Sequence, residues 1–328
     1  MRKDWPIHLR QNALPLVALG VFAVMFSVFL HEHPRAINAN IMTTASNKAV
    51  LLALVAMAQT LPVITRGLDL SVGMVMILSC CVSSVLVNGT PLGVVFGILC
   101  VLATGLAAGA LNAALVVMGR LQPIIATLAT SAVYFGIALL VRPGPGGNVS
   151  EGLSDALTRT VFGVIPTTLI LLAGIVAVVW LPLRRSLIGR GCYAAGSAEG
   201  AAYLSGVNIK RSKFVAYTLA GLLASMAGLL LSLLSLSGEA SAPQANLYTL
   251  NSIAAVVIGG TSLYGGAGGM VGSIVGAFVL RTIGDLLFVF DAPALWQPLF
   301  EGFILLAAVS LGALRVLRIR NRLELFGG

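Results

Sequence analysis

Three ionisable side chains, Arg281, Asp285 and Glu301, stand inside otherwise apolar stretches of the sequence. A charge in hydrocarbon is expensive and persists where it pairs with another group or lines a polar path. Arg281 and Asp285 are four apart, so on a helix they share a face and predict a mutual ion pair. Glu301 falls about five residues into the last apolar run, roughly 8 Å along a helix and near its outer end. An ion-coupled carrier would need buried acids near the midplane, and the sequence offers little material for them. The uncharged polar positions in apolar runs include Gln59, Asn112, Gln122, Thr127, Thr130 and Asn251. Hydrogen bonding between helices is their plainest use. Gln59, Asn112, Thr127, Thr130 and Asn251 are also the candidates for a path that a small hydroxylated solute could follow. Asp69 and Ser71, just after Arg66-Gly67, fit a helix start closed by a side-chain cap.

No constellation of catalytic residues accompanies these groups, and an enzyme is not expected. A phosphate-binding loop needs G-x-x-x-x-G-K-[ST] after a strand, and none of the four lysines follows such a run. Gly265, Gly266, Gly268 and Gly269 instead suit a tight junction or a re-entrant turn. Any ATP would have to be hydrolysed by another protein. Cys80, Cys81, Cys100 and Cys192 form no C-x-x-C pair and read as small packing residues, with no metal or cofactor of the chain's own.

The elements that must position these groups are membrane spans. Hydrophobic residues make up 58% of the 328 residues and charged ones only 9%, against about 25% in a soluble domain. A span needs about 20 mostly apolar residues. That length predicts an all-α, polytopic membrane protein of about ten helices, near 13–30, 49–65, 71–88, 92–118, 123–141, 161–181, 214–236, 247–260, 269–288 and 296–314. The whole chain, 1–328, reads as one transmembrane domain. The first apolar run exceeds the 7–15 residues of a signal-peptide core and reads as a retained span.

Lys and Arg set the orientation. With a cytoplasmic N-terminus, fifteen cations lie on inner segments and four (Arg35, Lys48, Arg142, Arg159) on outer ones. Both termini are therefore expected in the cytoplasm. The net charge of +9 is explained by this asymmetry and implies no nucleic-acid partner. Small residues recur at packing spacing, Gly93 with Gly97, Gly105 with Gly109 and Gly272 with Gly276, which favours close helix crossings.

The longest polar segment, about 183–213, falls inside. Arg184, Arg185, Arg190, Lys210, Arg211 and Lys213 flank a stretch of small residues. Cys192–Leu204 can form a short helix on its alanines, with Gly206 as a left-handed stop and Asn208 in a turn. The helix has little bulky apolar surface beyond Tyr193, Tyr203 and Leu204, so it suits a partner protein's cleft better than a lipid surface.

Several segments, in order across nearly the whole chain, resemble the ribose/xylose/galactose-type sugar permeases of bacterial ABC importers, relatives of the branched-chain amino acid permeases. They are Thr65-Arg66-Gly67-Leu68-Asp69-Leu70-Ser71-Val72-Gly73, Gln122–Leu128, Pro145-Gly146-Gly147, Gly189-Arg190-Gly191, Ala195-Gly196-Ser197, Ala201-Ala202, Leu204–Asn208, Ala254–Leu263 with Gly265-Gly266, and Trp296-Gln297. The resemblance implies a multi-pass subunit of the bacterial inner (plasma) membrane that pairs with a second permease, a copy or a paralogue. It implies ATPase subunits carrying ATP-Mg, docked on Gly189, Arg190, Gly191, Ala195, Gly196, Ser197, Ala201, Ala202, Ser205, Gly206 and Asn208. A periplasmic sugar-binding protein would deliver the solute. The family usually has two glycines at the Arg66-Gly67 position, an asparagine at Ser197 and an asparagine pair near Gly284-Asp285. A secondary carrier without an ATPase and an amino-acid permease are the alternatives.

Overall fold

Apolar chain in lipid must close its own backbone hydrogen bonds, and helices do so within one segment. A computed structural model describes residues 13–32, 39–161, 163, 165–303, 306 and 310. Among these residues it is helical apart from one hairpin of two two-residue strands. The helices are α1 (Ala13–Glu32), α2 (Ala39–Ile64), α3 (Val72–Leu86), α4 (Pro91–Ala113), α5 (Pro123–Val141), α6 (Glu151–Thr158), α7 (Thr167–Ile175) and α8 (Leu181–Arg185). Then come α9 (Leu187–Ser197), α10 (Glu199–Leu204), α11 (Ile209–Ser235), α12 (Ala242–Ile258) and α13 (Met270–Val289). A π-helical turn extends α4 to Met118 and another joins α7 to α8.

Among the described residues, seven helical stretches are long and apolar enough to cross a membrane: Pro15–Glu32, Ala39–Ile64, Pro91–Met118, Pro123–Val141, Thr167–Arg185, Ile209–Ser235 and Met270–Val289. Of the ten expected, α3 has 15 residues and α12 has 17, and about half of 296–314 lies outside the described residues. Two boundaries move. α2 begins at Ala39 rather than near 49, because its polar first third is held: Asn47 donates to the Thr158 carbonyl and accepts from Thr168 Oγ1. The first residues of the span expected at 161–181 instead belong to a hairpin, β1 (Thr160–Val161) paired antiparallel with β2 (Ile165–Pro166).

α2 is the axis of the bundle. Ninety-four per cent of its most apolar window is buried, against 11% for α1 and 28% for the α4 stretch. α3, α11, α12 and α13 pack around it, while α4 and α5 turn Leu92, Leu99, Leu128 and Leu140 outward. With lipid on that side, association rests on close packing of small residues. Gly105 and Gly109 of α4 sit against the Gly221 and Tyr217–Thr218 backbone of α11. Gly272 and Gly276 of α13 sit against Gly259 and Ala255 of α12. A Cβ at any of the four would run into backbone atoms.

The connections sort to two ends. At one, the Gly266 N–H donates to the Ile64 carbonyl (2.9 Å), which puts the α2–α3 and α12–α13 turns together. At the other, Gly146 and Gly238 exchange backbone hydrogen bonds, and Asn148 and Ser150 donate to Ser84 and Val87.

Candidate functional site

Two places gather the residues singled out from the sequence. The first is the segment from α8 to α11. Ser186 Oγ caps α9 by accepting from the Gly189 N–H (3.0 Å). The expected single helix is two, because the chain turns to extended backbone at Ala198 before α10 begins. Gly206 takes φ +77°, and Asn208 Oδ1 caps α11 by accepting from the Arg211 N–H (3.0 Å). Lys213 pairs with Glu199 at 2.8 Å and ties α10 to α11.

The candidates here divide by face. Gly189, Gly191, Ala195, Gly196 and Ala202 are buried. Gly189 lies against the Leu183 carbonyl, Gly191 against Ser212, and Gly196 against the Ile64 carbonyl and the Gly266 amide. These are the positions where the segment is held to the body of the protein. Cys192 is buried beside them, and burial pushes its thiol up to about 11, so it packs as a small apolar residue. Arg190, Ser197, Ala201, Ser205, Gly206 and Asn208 face outward. Leu187 (80% exposed), Tyr203 (73%) and Leu204 (87%) stand among them. Tyr193 turns the other way and its hydroxyl donates to the Gly268 carbonyl (2.7 Å).

The second place is the set of polar groups within the helices. Asp69, buried in the α2–α3 turn, accepts from the Ser71 N–H (2.9 Å) and hydroxyl (2.6 Å) through one carboxylate oxygen. Ser71 itself caps nothing. Burial pushes the Asp69 carboxyl up, and the bonds from Ser71 and Asn112 oppose that. Asn112 donates to Ser71 Oγ (2.7 Å), while its carbonyl accepts from Thr130 Oγ1 (2.7 Å) and the Tyr134 hydroxyl (3.0 Å). Thr127 Oγ1 accepts from the Leu70 N–H (3.0 Å). Asn112, Thr127 and Thr130 are thus joined in one buried network that staples α4 and α5 to the α2–α3 turn. Gln59 stands apart on α2, buried with neither amide atom partnered among the described residues.

Asn251 belongs elsewhere. It donates to one oxygen of Glu301 (2.9 Å), and Gln297 donates to the other (2.8 Å). These three line a cavity of about 150 Å³ together with Lys48, Leu52, Gln244, Leu247, Tyr248 and Arg281. Its walls are the first half of α2, the first half of α12, α13 and the segment after Trp296, at the end opposite α9 and α10. The Arg281–Asp285 ion pair expected from the sequence does not form; no ion pair joins them among the described residues. Lys48, Gln244, Tyr248 and Gln297 were not singled out as path candidates from the sequence. Gln244 and Tyr248 share a face of α12 with Asn251 at helical spacing, whereas Lys48 and Gln297 come to the cavity from other segments that no local spacing relates to it.

No group of three or more His, Cys, Asp or Glu side chains that could hold a metal occurs among the described residues. The model of the family described as branched-chain amino acid transport system / permease component matches residues 41–309. The chain is 32% identical to the ribose import permease protein RbsC of Bacillus subtilis, over 92% of both chains. It is 33% identical to the autoinducer 2 import system permease protein LsrC of Enterobacter sp. (94% of this chain, 89% of that one). It is 29% identical to the fructose import permease protein FrcC of Rhizobium meliloti (93% and 86%). No solved structure matches. A helical, multi-pass membrane architecture and a family match across most of its length agree, and the chain belongs to the branched-chain amino acid transport permease family.

Proposed function

We propose that the chain is the transmembrane subunit of an ATP-driven importer for a monosaccharide or a similar small polar solute, in a bacterial plasma membrane. On this reading the chain crosses the membrane ten times, with both termini and the α9–α10 segment in the cytoplasm. Separate ATPase subunits with ATP-Mg dock on the exposed face of that segment. A solute-binding protein delivers at the opposite end, and a second permease, identical or paralogous, completes the pore.

One observation carries this reading: a short helical segment is anchored by buried glycines while Leu187, Tyr203 and Leu204 point away from the protein. Aromatic and aliphatic side chains exposed together, beside small residues, suit insertion into a partner's pocket. The names of the relatives, two of which import sugars, support the solute class.

The test is co-expression with the neighbouring genes and purification through the full chain. A co-purifying ATPase whose turnover rises with solute is expected. Solute uptake by the purified chain alone in ATP-free vesicles would overturn the reading in favour of a facilitator.

A further inference from the structure

The cavity between α2, α12, α13 and the segment after Trp296 has an unbalanced lining. It holds two cations, Lys48 and Arg281, and one acid, Glu301. Both Glu301 oxygens already accept from amide groups, Asn251 and Gln297, and no ion pair joins Glu301 to either cation. Asp285, one helical turn beyond Arg281, is not among the lining residues and forms no ion pair with either cation, though it lies close enough to both to interact with their charges. Arg281 is half-buried, its Nε is enclosed without a partner, and its guanidinium makes no hydrogen bond among the described residues. Lys48 is exposed, so its charge is cheaply hydrated; that of Arg281 is not.

A guanidinium partly withdrawn from water without an acceptor is costly, and its planar fork fits a carboxylate or a phosphate with two parallel hydrogen bonds. Around it, Gln244, Asn251 and Gln297 each offer both a donor and an acceptor, the complement of sugar hydroxyls, and Tyr248 adds a ring with a polar tip.

We propose that this cavity is a solute site selective for an acidic sugar, a small polyhydroxylated molecule bearing one carboxylate or phosphate that Arg281 and Lys48 engage. The proposal rests on the reading of the chain as an importer subunit for small polar solutes and narrows the solute.

The full chain in lipid nanodiscs, at low salt, is dialysed against radiolabelled D-galactose, D-galacturonate, D-ribose and D-ribose 5-phosphate. Within each pair the molecules differ by one acidic group. One acid is expected to bind roughly tenfold more tightly than its neutral counterpart, the discrimination of one charge-assisted hydrogen bond. Which acid is preferred identifies the anion. Arg281→Gln removes the preference and Arg281→Lys retains part of it, with both variants monodisperse on size exclusion. Equal binding of acid and neutral sugar overturns the proposal, as does a preference that survives Arg281→Gln or an absence of saturable binding by either acid. Those results leave the importer reading to the ATPase co-purification, which does not depend on the solute's charge.

Discussion

Single side chains divide here between those whose loss breaks the fold and those whose loss would change transport. Asn112 is of the first kind. It holds Ser71, Thr130 and Tyr134 together, so Asn112→Ala removes the amide that joins them and leaves each hydroxyl with its second partner alone, Asp69, Thr127 or Ala108. A loss of about 1–2 kcal/mol is expected, read as a lower midpoint of thermal unfolding in nanodiscs, with Asn112→Gln no better because the longer amide cannot fit. Arg66 makes the opposite case. It holds a left-handed backbone at φ +66°, a conformation costing an L residue roughly 1–2 kcal/mol that glycine avoids. Since its side chain is exposed, Arg66→Gly is expected to raise the same midpoint slightly. Gly67→Ala lowers it, because a Cβ there collides with the Tyr217 hydroxyl. Part of this was legible from sequence type: Asn112 and Thr130 stood out as polar residues in apolar runs, and Asp69 as part of a helix start. Their joining into one network was not legible, because it depends on a contact between turns and helices that no local spacing encodes.

Among the elements, α9 and α10 show how one short segment can carry two jobs on two faces. Tyr203→Ala with Leu204→Ala removes exposed apolar surface and leaves the body of the protein intact. It is expected to weaken ATPase docking by roughly 1–2 kcal/mol, measured as loss of the co-purified partner with unchanged thermal stability. Gly196→Val acts on the inner face and drives side-chain atoms into the Ile64 carbonyl and the Gly266 amide, so lower stability and yield are expected before any docking defect. The helix boundaries followed apolar run length closely for α3, α4, α5 and α13, where composition changes sharply at the ends. They failed for α2 and at 161–166, where Asn47, Thr158 and Thr168 settle the structure through distant partners. The break at Ala198 was equally hidden, since alanine-rich sequence favours continuation on both sides.

For the molecule as a whole, the cation count set an orientation that labelling can check. Single cysteines at Ser205 and at Gly144, introduced with Cys80, Cys81, Cys100 and Cys192 replaced by serine, should react with an impermeant thiol reagent from opposite sides of the membrane. Labelling of Ser205→Cys only in inverted vesicles, and of Gly144→Cys only in intact cells, is the expected pattern.

The burial of α2 has a mechanical meaning. Lys48 and Leu52 border the cavity, and Ile64 touches both α9 and the glycine turn. Between Lys48 and Ile64 lie roughly 24 Å of helix at 1.5 Å per residue, surrounded by packed neighbours that prevent buckling. A helix so confined would act as a pushrod: on the proposed orientation, a stroke delivered at its Ile64 tip would reach its Lys48 tip with little lost to bending. α1, α4 and α5, which turn much of their surface outward, would need to take no part in that stroke and would serve as bearings along which it slides.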